Sequence, residues 1–268
     1  MFKVRLLSGI VLVILSIGLF LAGGYWLLFS TLCIALMGMY ELYRVFGVEK
    51  SLAAIVSYIA IIVFYCNMGW HFIPNRDNLM LIMAYIIFLM FIFVFSYPKY
   101  TANQIMGTFF GIFYVGIMLS YLYLIRNLQN GLYLSFLVLI CSWGCDTSAY
   151  CFGKLFGKHK MSPILSPKKS VEGAIGGMLG AAVLAAVYSC LMRFTMTIPT
   201  ETIVYVSIIS AIAALVSMVG DLTASAIKRN YDIKDYGKII PGHGGIMDRF
   251  DSVIITAPII YYLAYFFM

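Results

Sequence analysis

Charge is what this sequence has least of. Only 11% of its 268 residues are Asp, Glu, Lys or Arg, and 63% are hydrophobic, whereas soluble domains carry about 25% charged residues. That scarcity excludes an ordinary soluble domain and points to a protein of the membrane. Histidine is also scarce, with His71, His159 and His243 the only three. No Ser–His–Asp order and no Cys–His pair is present, which excludes nucleophilic catalysis of those kinds. The six cysteines, Cys33, Cys66, Cys141, Cys145, Cys151 and Cys190, form no CxxC spacing and lie in or beside apolar runs. Cys141 and Cys145 share a helix face with no histidine near them, so buried free thiols are expected rather than a metal site or a disulfide. No internal repeat is visible. The string GKLFGK (153–158) is one residue short of a phosphate-binding P-loop and lacks its closing Ser or Thr, so that reading is rejected.

Apolar runs near the ~20 residues that span a bilayer occur at 6–22, 25–43, 51–70, 79–97, 102–125, 132–152, 174–193, 202–220 and 253–268. The expected fold is an all-α, polytopic membrane bundle of about nine helices. Residues 1–130 supply the N-terminal helices, and residues 131–268 a catalytic region with polar loops, in one integrated bundle. The first run follows Lys3 and Arg5 as in a signal peptide. Its apolar core is long, and a second span follows at once, so an uncleaved helix is expected.

The net charge of +7 does not point to nucleic acid, because the positive residues follow topology rather than a soluble face. On alternate sides of the nine runs, Lys and Arg divide 15 to 3, accounting for all 18. The positive-inside rule then puts the N-terminus and both long polar loops in the cytoplasm. Three small-residue pairs, Gly107/Gly111, Gly173/Gly177 and Gly176/Gly180, read as close helix packing, with a dimer face as the alternative.

Seven of the eleven acids fall in 146–172 and 221–251, which places function in the second half. In GDLTASAIKRN (220–230), continued helix would put Asp221, Ser225, Lys228 and Arg229 on one face. An aspartate at the end of a span is costly unless compensated. An ion pair and a carboxylate kept for a cation both fit. In PGHGGIMDRFDS (241–252), Pro241 breaks any preceding helix. Gly242, Gly244 and Gly245 allow a tight loop whose N–H groups can point at an anion. A helix is expected to start near Ile246, with Asp248 and Asp251 on one face and Arg249 turned elsewhere. In WGCDTSAYCFGKLFGKHKMSPILSPKKSVEG (143–173), Asp146 lies within an apolar helix, and Ser170 caps the next one. Lys154, Lys158 and Lys160 suit anionic headgroups; Lys168 and Lys169 lie nearer the helix start, where they can meet a phosphate. Carboxylates, a glycine loop and Lys/Arg pairs together suit a hard cation with phosphates and phosphoryl or nucleotidyl transfer, which needs little beyond positioning and charge stabilisation.

Residues 225–251 resemble the C-terminal signature of the phosphatidate cytidylyltransferases, or CDP-diacylglycerol synthases. The pattern is carried by Ser225, Lys228, Arg229, Lys234, Asp235, His243, Gly244, Gly245, Asp248, Arg249 and Asp251. CDTSAYCFGK and SPKKSVEG also look like family segments, with Cys145 and Ser148 at variable places and Ser170 where threonine is common. The resemblance is specific over 143–252 and general before that. It implies that CTP and phosphatidate give CDP-diacylglycerol and pyrophosphate with Mg²⁺, a second cation being left open. It implies a multi-helix fold, often dimeric, with membrane lipids around it. Asp221 and Asp248 match the family's metal ligands, with Asp146 and Asp251 as further candidates. Lys228, Arg229 and Arg249 join Asp221 and Asp248 as the catalytic set. Lys168, Lys169, Ser170, Ser225, Lys234, Asp235, His243, Gly244 and Gly245 are the expected substrate-binding set. A transferase acting on an ether lipid or a polyprenol fits the same residues. An ion or metabolite transporter would place charges at mid-span and repeat its halves. A purely structural membrane protein leaves the clustering of charge unexplained.

Overall fold

A computed structural model describes residues 2–73, 78–193, 200–242 and 244–267. The described residues form nine helices and one short hairpin. The helices are α1 (Phe2–Ala22), α2 (Gly24–Val45), α3 (Leu52–Trp70), α4 (Asn78–Phe95), α5 (Ala102–Arg126), α6 (Gly131–Phe156), α7 (Val171–Met192), α8 (Thr200–Asn230) and α9 (Met247–Phe267). Strands β1 (Lys160–Ser162) and β2 (Ser166–Ser170) pair antiparallel between α6 and α7. Helices α2 to α8, seven in number, are each long and apolar enough to cross a membrane. Helix α1 offers an apolar stretch over Leu7–Ala22. Helix α9 opens with Asp248, Arg249 and Asp251 before its apolar run. The all-α bundle of spans expected from the hydropathy pattern is thus the observed architecture.

Local chemistry explains where the helices begin. Ser51 Oγ accepts the N–H of Ala54 at 3.1 Å, and Thr101 and Gln104 form a reciprocal capping box at the start of α5. Both satisfy N–H groups that have no partner inside the helix. Ser170 caps α7 as expected, its Oγ accepting the N–H of Gly173 at 3.1 Å. Helices α5 and α6 each contain a π-helical segment, Ile112–Ile117 and Ile140–Gly144. One added residue turns the following face by about 100°. The segment in α6 ends directly before Cys145 and Asp146.

The chain divides into two compact units. The first comprises Met1–Tyr123 with Asp235–Asp248, and the second Leu124–Lys234 with Arg249–Met268. In the first unit, Leu27, Ala35, Met39, Leu42, Tyr43, Ile61 and Tyr65 are buried. Buried polar groups there are matched: Tyr43 donates to the Thr108 carbonyl at 2.7 Å, and Tyr65 to the Gly116 carbonyl, inside the π segment, at 3.1 Å. In the second unit, α6, α7 and α8 pack around Cys145, Ala181, Ala214 and Met218. The small-residue pairs serve this packing. A side chain at Gly176 would run into Phe152, and one at Gly180 into Ser148; in the first unit Gly107 and Gly111 give the same room to Phe46 and Tyr43. All six cysteines are free. Burial holds for Cys141 and Cys145, whereas Cys151 and Cys190 are exposed on the sides of their helices. That differs from the burial expected of all six, because a thiol is apolar enough to sit on the outside of an apolar span.

Replacing Gly176 by Val overfills the α6–α7 contact, which costs about 1–3 kcal/mol. Thermal unfolding in detergent should show a clear loss for Gly176→Val. Gly18→Val, where a Cβ meets nothing within 4 Å, should unfold like the parent protein.

Candidate active site

Three of the predicted acids meet in the second unit. Asp146 comes from α6 after its π segment, Asp221 from the last third of α8, and Asp251 from the second turn of α9. Asp146 and Asp251 each lie within electrostatic reach of Asp221. Helix α8 runs unbroken to Asn230, as the shared face of Asp221, Ser225 and Lys228 required. At Gly220 a side chain would meet the Asp251 carbonyl at 2.8 Å. Glycine therefore allows the α8 and α9 backbones to approach where their aspartates lie.

Each carboxylate has a partner. Asp221 forms an ion pair with Lys169, whose ammonium is buried at the end of β2. The hairpin thus carries Lys169 to the acids, while Lys168 beside it is exposed. The hairpin base is tied by Glu172, which accepts the N–H groups of Lys158 and His159 at 3.1 and 3.2 Å and touches His159 Nδ1 at 2.6 Å. Ser252 links the other two acids. Its hydroxyl donates to Asp146 Oδ2 at 3.1 Å, and its N–H to Asp251 Oδ1 at 2.8 Å. Ser225 Oγ stands 3.5 Å from Asp221 Oδ1. Lys228 acts on Asp251, and Arg249 on Asp146, through space. Trp143, in the π segment, donates its indole N–H to the Arg249 carbonyl at 3.3 Å. Arg229 and Lys234 are exposed.

The glycine loop, in the first unit, departs from expectation. Gly242 and Gly244 take positive φ angles of 76° and 89°, as a tight turn needs. Ile240 N–H donates to the Gly244 carbonyl at 2.9 Å. His243 lies outside the described residues. Of the glycine N–H groups expected to face a substrate anion, that of Gly245 meets a protein carboxylate instead. Gly245 and Tyr236 N–H donate to Asp248 Oδ2 at 2.9 and 2.8 Å. Ile246 and Met247 N–H donate to Glu41, from α2, at 3.1 and 2.9 Å. Electrostatics favours any anion at a helix N-terminus, and here it is a side chain of the protein. Asp248 is only 8% exposed and holds the loop closed. Asp235 is exposed at the loop's start.

Sequence reasoning missed Glu41, Arg44 and Ser252. Glu41 did carry a signal, because it is the only acid inside the first five apolar runs, where an ionisable residue marks a functional site by default. Ser252 directly follows the Asp-Arg-x-Asp string.

The residues that would hold a cation offer oxygen only, and Asp221 already attracts a positive group. That donor chemistry fits a hard divalent ion. Among the described residues, no group of three His, Cys, Asp or Glu side chains is close enough to hold a metal by itself. Mg²⁺ needs no such cage, since it usually binds through one or two carboxylates and substrate phosphates.

Residues 3–267 match the cytidylyltransferase family. The phosphatidate cytidylyltransferase of Staphylococcus saprophyticus is 32% identical over 259 residues, covering 96% of this chain and 97% of that protein. That of Bacillus subtilis is 32% identical over 268 residues, covering 97% of each. That of Staphylococcus haemolyticus is 30% identical over 259 residues, with 96% and 97% covered. From its first helix to its last, with its acids gathered and its signature intact, this chain belongs to the cytidylyltransferase family.

Proposed function

We infer that the protein is a membrane-embedded phosphatidate cytidylyltransferase, which joins CTP and phosphatidate to give CDP-diacylglycerol and pyrophosphate. The observation that carries this reading is the cluster of Asp146, Asp221, Asp251 and Lys169 contributed by three helices and the hairpin of the second unit. Helices that face lipid have no other need for so many charges in one place.

The chemistry follows from the substrates. A phosphate monoester has a second pKa near ~6, so phosphatidate is largely a dianion at neutral pH. Its oxygen attacks the α-phosphorus of CTP, and the bond from that phosphorus to the bridging oxygen breaks. Pyrophosphate carries the electron pair away. No general base is required, because the attacking oxygen is already deprotonated. The obstacle is repulsion between two polyanions. Lys169, Lys228 and Arg249 stand where positive charge lowers it, and Arg229 and Lys234 extend the basic surface at the end of α8. Lys168 and Ser170 frame the hairpin end, and Ser225 steadies Asp221.

For Mg²⁺ the natural holders are Asp221, Asp146 and Asp251; Asp248 enters this assignment through the motif alone. When bound, the ion neutralises triphosphate charge and orients the α-phosphorus. A transferase for an ether lipid or a polyprenol would use the same polar residues, so the assay decides among lipids. We place the protein in a bacterial inner membrane with its N-terminus and polar loops in the cytoplasm, where CTP is found, on the 15 to 3 division of basic residues.

Full-length protein in mixed micelles, given labelled CTP and phosphatidate, should form CDP-diacylglycerol only with a divalent cation added. No CTP-dependent product from any phospholipid, ether lipid or polyprenyl phosphate would end the transferase reading. Asp221→Asn should lower kcat by about 100-fold or more with thermal unfolding retained; near-normal turnover would remove Asp221 from the site. Orientation is read by maleimide labelling of single cysteines in a cysteine-free background. Gln129→Cys should react in intact cells and Lys158→Cys only after permeabilisation, and the reverse pattern would invert the topology.

A further inference from the structure

We propose that Glu41 is a positioning residue, holding the signature loop and through it the carboxylate of Asp248. The proposal rests on the reading of Asp248 as part of the transferase chemistry, and it concerns the first unit only.

Glu41 is 1% exposed within α2. One carboxylate oxygen accepts the N–H of Ile246 at 3.1 Å, and the other the N–H of Met247 at 2.9 Å. These N–H groups belong to the start of α9, where no intrahelical acceptor is available. Two glycines record the same fit. A side chain on Gly237 or on Gly245 would overlap the Glu41 carboxylate, so both positions are kept bare by the group that occupies their space. Arg44, one turn further along α2, donates through Nη2 to the Tyr236 carbonyl. Asp248 grips the same stretches of backbone, since its Oδ2 accepts from Tyr236 N–H and Gly245 N–H. Segments 236–237 and 245–247 are therefore fixed by Glu41 and Arg44 as well as by Asp248. Moving Glu41 moves the peptide groups that set the Asp248 rotamer.

A purely structural role does not ask for a carboxylate. An ionisable residue inside an apolar span is expensive, and a neutral acceptor can also cap helix N–H groups. Glutamate is the residue that supplies two acceptors to two backbone donors in one rigid group. The groups it fixes belong to the loop that bears Asp248, so precision there is what Glu41 contributes.

The test uses Glu41→Gln, Glu41→Asp and Glu41→Ala in full-length protein, with two measurements. Amide hydrogen exchange reports the clamp whatever the protein catalyses. Exchange at 244–248 should rise about 10-fold or more in Glu41→Gln, the equivalent of one hydrogen bond lost, with α3 and α4 unchanged. Turnover reports positioning. In Glu41→Gln kcat should fall about 10–100-fold, as for residues that orient a ligand, while KM for phosphatidate stays that of the parent. Glu41→Asp, which keeps the charge, should recover part of the kcat lost in Glu41→Ala. Parent-like exchange in Glu41→Gln overturns the clamp. A loosened loop with parent-like kcat overturns positioning and leaves Glu41 a structural residue. Should Glu41→Ala fail to fold, the near-isosteric Gln variant still decides. Should the parent protein make no product, the transferase reading falls and positioning for that reaction falls with it, while exchange still decides the clamp.

Discussion

A carboxylate among lipid-facing helices must be given a partner, and most of the irregular structure in this protein serves that requirement. Glu41 takes two N–H groups, Asp146 a serine hydroxyl, Asp221 an ammonium and Asp251 a backbone N–H. The departures from straight apolar helix occur around these pairings. The hairpin brings Lys169 to Asp221, and the π segment of α6 ends just before Asp146. Gly220 lets two backbones approach beside Asp221 and Asp251. In water such pairs would contribute little. In an apolar surrounding, an unpaired charge costs far more than the distortions that pair it.

The two polar clusters solve the problem differently. In the second unit, besides the Ser252 N–H on Asp251, the acids are balanced by side chains, Lys169, Lys228, Arg249 and Ser252, which can turn toward other partners. In the first unit the acids Glu41 and Asp248 are balanced by backbone N–H groups, which cannot move without moving the chain. The mobile kind of partner suits a site that must exchange anions. The fixed kind suits a support.

Much of this was legible in the sequence. Apolar runs marked the nine helices of the described residues, seven of which are long and apolar enough to cross a bilayer. The continuation of α8 past Asp221 and the cap at Ser170 followed from local rules that need no tertiary information. Asp221 and Asp251 were readable as acids beside span ends, and Asp146 as an acid within an apolar helix. The pairing of Glu41 with Ile246 and Met247 was not, because it joins residues 205 and 206 positions apart and no periodicity reports such a contact. The glycine loop shows the limit most clearly. Its composition announces free N–H donors, but Asp248 takes that of Gly245, and the acceptor for the next two N–H groups, of Ile246 and Met247, comes from a helix encoded at the other end of the chain. The segment 160–170 read as a basic loop, and its hairpin depends on cross-strand bonds and on Glu172 beyond it.

The assignment of Asp235–Asp248 to the first unit also bears on the order in which the protein is made. Helix α2 leaves the ribosome early, with Glu41 in its interior. The groups that receive its carboxylate are translated only after the whole of Leu124–Lys234 has followed. During that interval Glu41 lacks the two N–H groups that receive it in the finished fold. Completion of the first unit is therefore a late event in biogenesis, and a chain that stops short of residue 247 leaves its second helix holding an unanswered charge.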